Sequence, residues 1–376
     1  MLIPRVISKQ IAEDLKRLKK VLLIYGPRQS GKTTLAKAVT KKTGLKTLYV
    51  NGDQIKYADI LSSRDLNKLR GLVSSYELLF IDEGQRIPEI GINLKILHDE
   101  IPDLKILVTG SSSFLLSGRV TESLAGRKKT YSLFPISMKE LSEVYNDFEI
   151  QDRLEEWLIF GLYPEVVNIA GNRDKEDYLL DISSSYIYKD IIELEQIKFP
   201  LKINDLLRLL AFQVGSQVNI HELGQQLGLN RETVERYLYL LEQAFVIFRV
   251  PAYSTNPRKE IRKTQKYYFY DLGIRNILIN NLNPLNMRND VGALWKNFLI
   301  VERMKKLNYE RVPFSRFFWR SYSSAEIDYI EEKDGKVSPY EFKFSSSKVR
   351  TPPLWKQHYK SDVTVVNKDN FLEFVL

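Results

Sequence analysis

The chain has 376 residues, enough for two or three domains that each bury a core, with 44% hydrophobic and 27% charged residues as in ordinary globular proteins. The absence of cysteine excludes disulfides and thiolate metal sites, the three histidines (His98, His221, His358) are scattered, and no apolar run is long enough to cross a bilayer. The net charge of +9 is compatible with a polyanionic partner without identifying one. Met1 to Lys20 mixes charges with Leu and Ile at helical spacing and has no apolar signal region, so a cytoplasmic setting without membrane association is expected.

The first third alternates apolar strands with helices. Strands are expected at Val21–Tyr25, Thr47–Val50, Glu77–Asp82, Lys105–Thr109 and Lys129–Phe134, with helices from Lys32 to Lys42 and over Ile90–Glu100. This pattern predicts an α/β fold with a parallel sheet covered on both faces. From Ser137 to Leu210 the sequence reads as helical. Asn204 to Tyr270 reads as three helices and a hairpin turning at Ser254-Thr255-Asn256-Pro257, and Asn280–Asp290 is rich in Asn and suggests a linker. The last part opens with a helix, Gly292–Leu307, and continues as strands with turns at Lys333-Asp334-Gly335 and Ser345–Ser347. The resulting division is 1–136, 137–203, 204–280 and 281–376.

Gly26, Pro27, Arg28, Gln29, Ser30, Gly31, Lys32 and Thr33 fit G-x-x-x-x-G-K-[ST] between a strand and a helix, with Thr34 following. Glycines let the loop wrap so that backbone N–H groups face phosphates at a helix N-terminus. Lys32 suits the β- and γ-phosphates, and the Thr33 hydroxyl suits Mg²⁺. The apolar strand Leu78–Ile81 ends in Asp82 and Glu83. Asp82 is expected beside the metal and Glu83 as general base for water, which together point to ATP hydrolysis with Mg²⁺. Ser111, after the fourth strand, is the candidate γ-phosphate sensor. Arg119 and Arg127 are candidate arginine fingers, with Arg127 preferred, and such a finger often comes from a neighbouring copy in a homo-oligomer.

These residues resemble the AAA-like (ASCE) branch of P-loop NTPases. Gly-Pro-Arg-Gln-Ser-Gly-Lys-Thr-Thr, Asp-Glu-Gly-Gln, Thr-Gly-Ser-Ser-Ser, Leu-Ala-Gly-Arg, Phe-Pro-Ile-Ser and Gly161-Leu162-Tyr163-Pro164-Glu165 are similar to those of a bacterial and archaeal family. Its members join an AAA-type ATPase to a C-terminal domain of unknown function. The resemblance implies the ATPase architecture without supplying a physiological role.

Asn219 to Leu238 has a helix-turn-helix pattern. Leu223 and Leu227 share a face, Gly228 turns the chain, Asn230 caps the next helix, and Val234, Leu238 and Leu241 continue the stripe. A winged helix is expected, with Arg258, Lys259, Arg262 and Lys263 as the basic cluster where a wing would meet DNA phosphates. Glu232, Glu235 and Glu242 beside Arg231 and Arg236 make the would-be recognition helix mixed in charge, which suits a lid or protein contact equally.

Near the C-terminus, a helix is followed by a strand with Asp328, a turn, and a strand with Glu341 and Lys343. This order resembles the restriction-endonuclease-like fold. The resemblance implies that Asp328 and Glu341 hold Mg²⁺ and that Lys343 orients water, with Glu302 as a fourth candidate. Related sequences carry Glu where this chain has Lys296, so part of that acidic site is missing. The alternatives to a plain ATPase are therefore an ATP-gated nuclease and a slow nucleotide switch controlling a protein or DNA contact.

Overall fold

A computed structural model of the chain describes residues 2–111, 122–186, 200–253, 265–321, 324–346 and 348–376. The N-terminal part contains α1 (Ser8–Arg17), β1 (Val21–Tyr25), α2 (Lys32–Thr43), β2 (Thr47–Asn51), α3 (Ile55–Leu61), α4 (Leu66–Val73), β3 (Leu78–Asp82), α5 (Ile90–Glu100), β4 (Lys105–Gly110) and β5 (Lys128–Ser132). The strands form one sheet in the order β2-β3-β4-β1-β5, and every neighbouring pair is parallel. Strand alternation sends Leu22, Ile24, Leu78 and Phe80 into one apolar cluster, and Val21, Leu23, Leu79 and Ile81 into another. Both faces are thus buried, which explains why these strands read as continuous apolar runs.

The helical stretch comprises α6 (Met138–Leu141), α7 (Asp147–Phe160), α8 (Pro164–Asn168) and α9 (Asn172–Asp181). Ser137 with Glu140, and Asn146 with Glu149, form reciprocal caps that start α6 and α7. Beyond them lie α10 (Pro200–Phe212), β6 (Gln217–Val218), α11 (Ile220–Leu227), α12 (Arg231–Gln243), β7 (Ile247–Pro251) and β8 (Gln265–Phe269). Asn230 Oδ1 accepts from Thr233 N–H at 2.8 Å as expected, and Leu223, Leu227, Val234, Leu238 and Leu241 are buried. The three strands form a small antiparallel sheet, β6-β8-β7. The expected turn at Ser254-Thr255-Asn256-Pro257 and the basic cluster Arg258, Lys259, Arg262 and Lys263 lie outside the described residues, as do Arg119 and Ser347.

The chain continues through α13 (Leu272–Leu278), α14 (Val291–Tyr309), β9 (Ser315–Arg320), β10 (Glu326–Lys333), β11 (Lys336–Phe342), α15 (Pro353–Tyr359), β12 (Thr364–Val366) and α16 (Phe371–Val375). The C-terminal sheet runs β12-β11-β10-β9, antiparallel except for the parallel β11–β12 pair. A bulge between Ile327 and Ile330 adds one residue to β10 opposite β9. Asp328 and Glu331 are an odd number apart, yet through this bulge both meet side chains of α14.

One apolar cluster runs from Ile3 through the helical stretch to Val375, so the four expected segments share a core. Asn280–Asp290, expected to be a linker, is instead pinned. Arg275 and Arg288 both pair with Asp290, Asn276 Oδ1 accepts from Arg288 Nη2 at 3.0 Å, and Leu285 N–H donates to Glu155 Oε1 at 2.9 Å. Composition alone could not show this, because Arg275 and Asn276, which hold the segment, are themselves fixed by the distant carbonyls of Ala211, Leu158 and Ile159. Burial would raise the Asp290 carboxyl, but the two guanidiniums overcome it and hold the group down to about 2. A depressed carboxyl stabilises the fold above the usual carboxylate range, and that contribution is lost as pH falls towards 2. Asp290→Asn strands two buried cations and is expected to lower stability by about 2–4 kcal/mol in denaturant unfolding at neutral pH. A loss below about 0.5 kcal/mol would contradict the role given to this node.

Candidate nucleotide site

The loop between β1 and α2 is shaped by two glycines. A Cβ at Gly26 would lie 2.0 Å from the Leu133 carbonyl oxygen, so no larger residue fits. Gly31 opens α2 with φ +91, in left-handed space that suits glycine. Lys32 is buried, and its ammonium donates to the carbonyls of Gly26 (3.0 Å) and Pro27 (2.8 Å), bridging the loop it belongs to. Ser30 Oγ closes the loop on Pro27 O at 2.8 Å.

Because the sheet is parallel, the ends of β1, β3 and β4 share one edge. There the Asp82 carboxylate gathers three hydroxyls. Thr33 Oγ1 donates to Oδ1 at 2.9 Å, Thr109 Oγ1 donates to the same oxygen, and Tyr49 O–H donates to Oδ2 at 3.2 Å. Burial first, and then the Asp82 charge, push the Tyr49 phenol up to about 12, which keeps it a donor. Glu83 sits in left-handed backbone, φ 54, its N–H donating to Thr109 Oγ1 at 3.3 Å and its carboxylate accepting from Gln85 Nε2. A non-glycine residue held there is strained, and such strain concentrates at functional sites.

A cavity of about 500 Å³ opens above these groups, lined by Arg28, Gln29, Lys32, Thr33, Glu83 and Arg86 among others. Pro164, Glu165 and Tyr178 close its far side from the helical stretch, and Tyr178 O–H donates to Gln29 Oε1 at 3.3 Å. Sequence reasoning reached the loop and the acidic pair but missed Thr109, Tyr49 and Arg86. The first two lie on neighbouring strands, so only the strand order brings them to Asp82. Ser111 meets the site through its backbone N–H, which donates to Gln85 Oε1 at 3.2 Å, and Thr109 brings a hydroxyl to Asp82.

Arg127 lies away from the loop of its own chain. Its carbonyl accepts from Val21 N–H, at the start of β1, and its guanidinium pairs with Asp99 at 2.8 Å. It therefore lies at the opposite sheet edge, roughly 17 Å of strand from the loop, and cannot reach its own chain's phosphate site. Among the described residues, Arg86, pairing with Asp53 at 3.5 Å, is the arginine after the acidic pair that lines the cavity.

Beneath the loop lies a residue with no sequence signal. The buried Arg5 guanidinium donates to Ser30 O (2.7 Å), Phe134 O (2.5 Å), Glu140 Oε1 (2.9 Å) and Tyr309 Oη (3.4 Å). It ties the phosphate loop to the exit of β5, to α6 and to α14.

The structure also brings Asp328, Glu341, Lys343 and Lys296 together. Lys296 Nζ pairs with Asp328 Oδ1, Phe342 N–H donates to Asp328 Oδ2 at 3.0 Å, and Lys343 Nζ donates to Glu341 Oε1 at 2.9 Å. Glu302 does not join them. It accepts from Met138 N–H and from Lys305 Nζ, each at 2.7 Å, where α14 docks on α6. Six residues beyond Lys296, it leaves the helix in another direction.

Residues 18–142 match a family model described as an AAA domain. Residues 151–285 and 291–365 match two domains of unknown function, DUF8612 and DUF4143. The N-terminal third is an AAA-type ATPase domain. An uncharacterized protein of Mycobacterium tuberculosis is 29% identical over 333 residues, covering 87% of this chain and 71% of its own. An uncharacterized protein of Methanocaldococcus jannaschii is 24% identical over 347 residues, covering 87% and 75%. Among solved structures, a Walker-type ATPase of Pyrococcus abyssi is similar at 15% identity and a TM-score of 0.48, covering 74% of this chain and 96% of that one. No described helix is long and apolar enough to cross a membrane.

Thr109→Val removes a donor to Asp82 and the acceptor for Glu83 N–H, and is expected to lower stability by about 1–3 kcal/mol, with Thr109→Ser close to wild type. Urea unfolding of both variants checks this. A loss in Thr109→Ser as large as that in Thr109→Val would contradict the role given to the hydroxyl.

Proposed function

We propose that this chain is a Mg²⁺-dependent ATPase whose nucleotide state is passed to its C-terminal part. The observation that carries the reading is the convergence of Thr33, Thr109 and Tyr49 on Asp82 at the mouth of the Lys32 loop, with Glu83 beside them. A hydroxyl and a carboxylate are hard oxygen donors that suit Mg²⁺, so Thr33 and Asp82 are the residues that would hold it. Bound Mg²⁺ supplies positive charge to the phosphate oxygens. Lys32 exchanges its bonds to Gly26 O and Pro27 O for phosphate oxygens, and Glu83 takes a proton from the attacking water. Arg86 contributes positive charge from the cavity wall, and Ser111 holds Gln85, which in turn orients Glu83.

Residues 137–203 serve as a lid in this reading, since Pro164, Glu165 and Tyr178 border the cavity. We read 204–280 as a winged helix from its order of helix, strand, two helices and hairpin, and 281–376 as a restriction-endonuclease-like unit from its helix and mixed sheet. For the winged helix we favour a protein contact over DNA. On α12, Arg231 pairs with Glu235 at 2.8 Å, and Glu242 at its end pairs with Arg249 at 3.6 Å, which leaves a self-neutralised face.

Lys32→Ala is expected to abolish ATP binding in a direct titration. Glu83→Gln keeps binding but reduces turnover by about 10²–10⁴-fold. Wild-type turnover in Glu83→Gln would sink the general-base assignment, and unimpaired ATP binding in Lys32→Ala would sink the site itself.

A further inference from the structure

Asp328 and Glu341 stand where a restriction-endonuclease-like enzyme would hold its divalent cation, and the donor set does not fit one. A hard divalent cation takes about six oxygens and draws its affinity from the number of ligand charges. Here both Asp328 oxygens are already accepting, one from the Lys296 ammonium and one from the Phe342 N–H, and the side chain is only 2% exposed. Glu341 accepts from Lys343. Two carboxylates therefore face two ammonium groups, and the cluster carries no net charge with which to attract a metal. The third acid is missing as well, because Glu302 is turned to Met138 and Lys305. Among the described residues, no three or more His, Cys, Asp or Glu side chains gather as a metal site.

The same lysine has a mechanical role. Lys296–Asp328 and the bidentate pair Arg303–Glu331 (2.8 and 2.9 Å) fasten α14 to β10 at two points, seven residues apart along the helix. The bulge in β10 makes both pairs reachable. Metal entry would have to displace the Lys296 ammonium from the buried Asp328 carboxylate and so undo one of these fasteners.

We propose that Lys296 takes the place of the divalent cation, so that the C-terminal cluster is a metal-free lock between α14 and the sheet rather than a nuclease centre. This is independent of the ATPase reading, because none of these residues touches the nucleotide cavity. The lysine acts as the internal counter-ion, and replacing it with an acid converts the lock into a cation site.

The test is Mn²⁺ uptake by the nucleotide-free full chain, followed by the electron paramagnetic resonance of free Mn²⁺. Wild type and Asp328→Ala should take up Mn²⁺ equally. Lys296→Glu should gain one Mn²⁺ site per chain, about tenfold or more tighter than any in wild type, and lose it again when combined with Asp328→Ala. Lys296→Gln, which removes the charge at similar size, should gain a weaker site and covers the case in which Lys296→Glu fails to fold. Asp328-dependent Mn²⁺ uptake by wild type would overturn the proposal. So would Asp328-dependent cleavage of plasmid DNA by wild type with Mn²⁺, or the absence of a gained site in folded Lys296 variants.

Discussion

The arrangement depends on one buried guanidinium. Arg5 spends its donors on the carbonyl of Ser30 in the phosphate loop, the carbonyl of Phe134, the carboxylate of Glu140 and the hydroxyl of Tyr309. Its partners lie up to 304 positions away in the chain. An arginine without these acceptors would be costly to bury, so the four elements are held in register or the guanidinium is left stranded. Next to it, Phe134 N–H donates to Tyr309 Oη at 3.2 Å, Lys305 donates to Ile136 O at 2.9 Å, and Glu302 accepts from Met138 N–H. The segment from Phe134 to Met138 is thus gripped from below by α14 and bonded through Arg5 to the phosphate loop.

This grip gives the proposed ATPase a route of communication. Interactions with phosphate at Lys32 and Thr33 act on a loop whose underside is fastened by Arg5 to the helix that carries the C-terminal sheet. The chain of contacts is short and polar, and it is packed in a continuous apolar cluster. In the proposed reading a displacement of the loop biases the position of α14, or the reverse, since coupling between sites is reciprocal. The lid residues Pro164, Glu165 and Tyr178 offer a second, more exposed route from the other side of the cavity.

Much of this was legible in the sequence where function is carried by neighbours along the chain. The phosphate loop, the acidic pair, the apolar strands of a doubly covered sheet and the stripe from Leu223 to Leu241 are local patterns, and each stands where it was expected. The residues that escaped are those whose meaning comes from long-range pairing. Arg5 is one Arg among many in the sequence, and Thr109 gains its role only because β4 lies beside β3. Asn280–Asp290 looked like a linker because its anchors, Arg275 and Asn276, precede it in another element. Arg127 follows a local motif, and only strand direction shows that it lies at the edge of the sheet away from its own chain's loop. Glu302 carried the right charge on the right helix, but helical geometry turns it away from Asp328.

The central claim is that the nucleotide loop and α14 form one coupled unit through Arg5. Amide hydrogen exchange on the full chain carrying Glu83→Gln, with and without Mg²⁺ and ATP, tests it directly. The account predicts that nucleotide changes exchange in the loop and also at 134–138 and 303–310, and that Arg5→Lys confines the change to the loop. Protection restricted to the loop in the chain with Arg5 intact would contradict it.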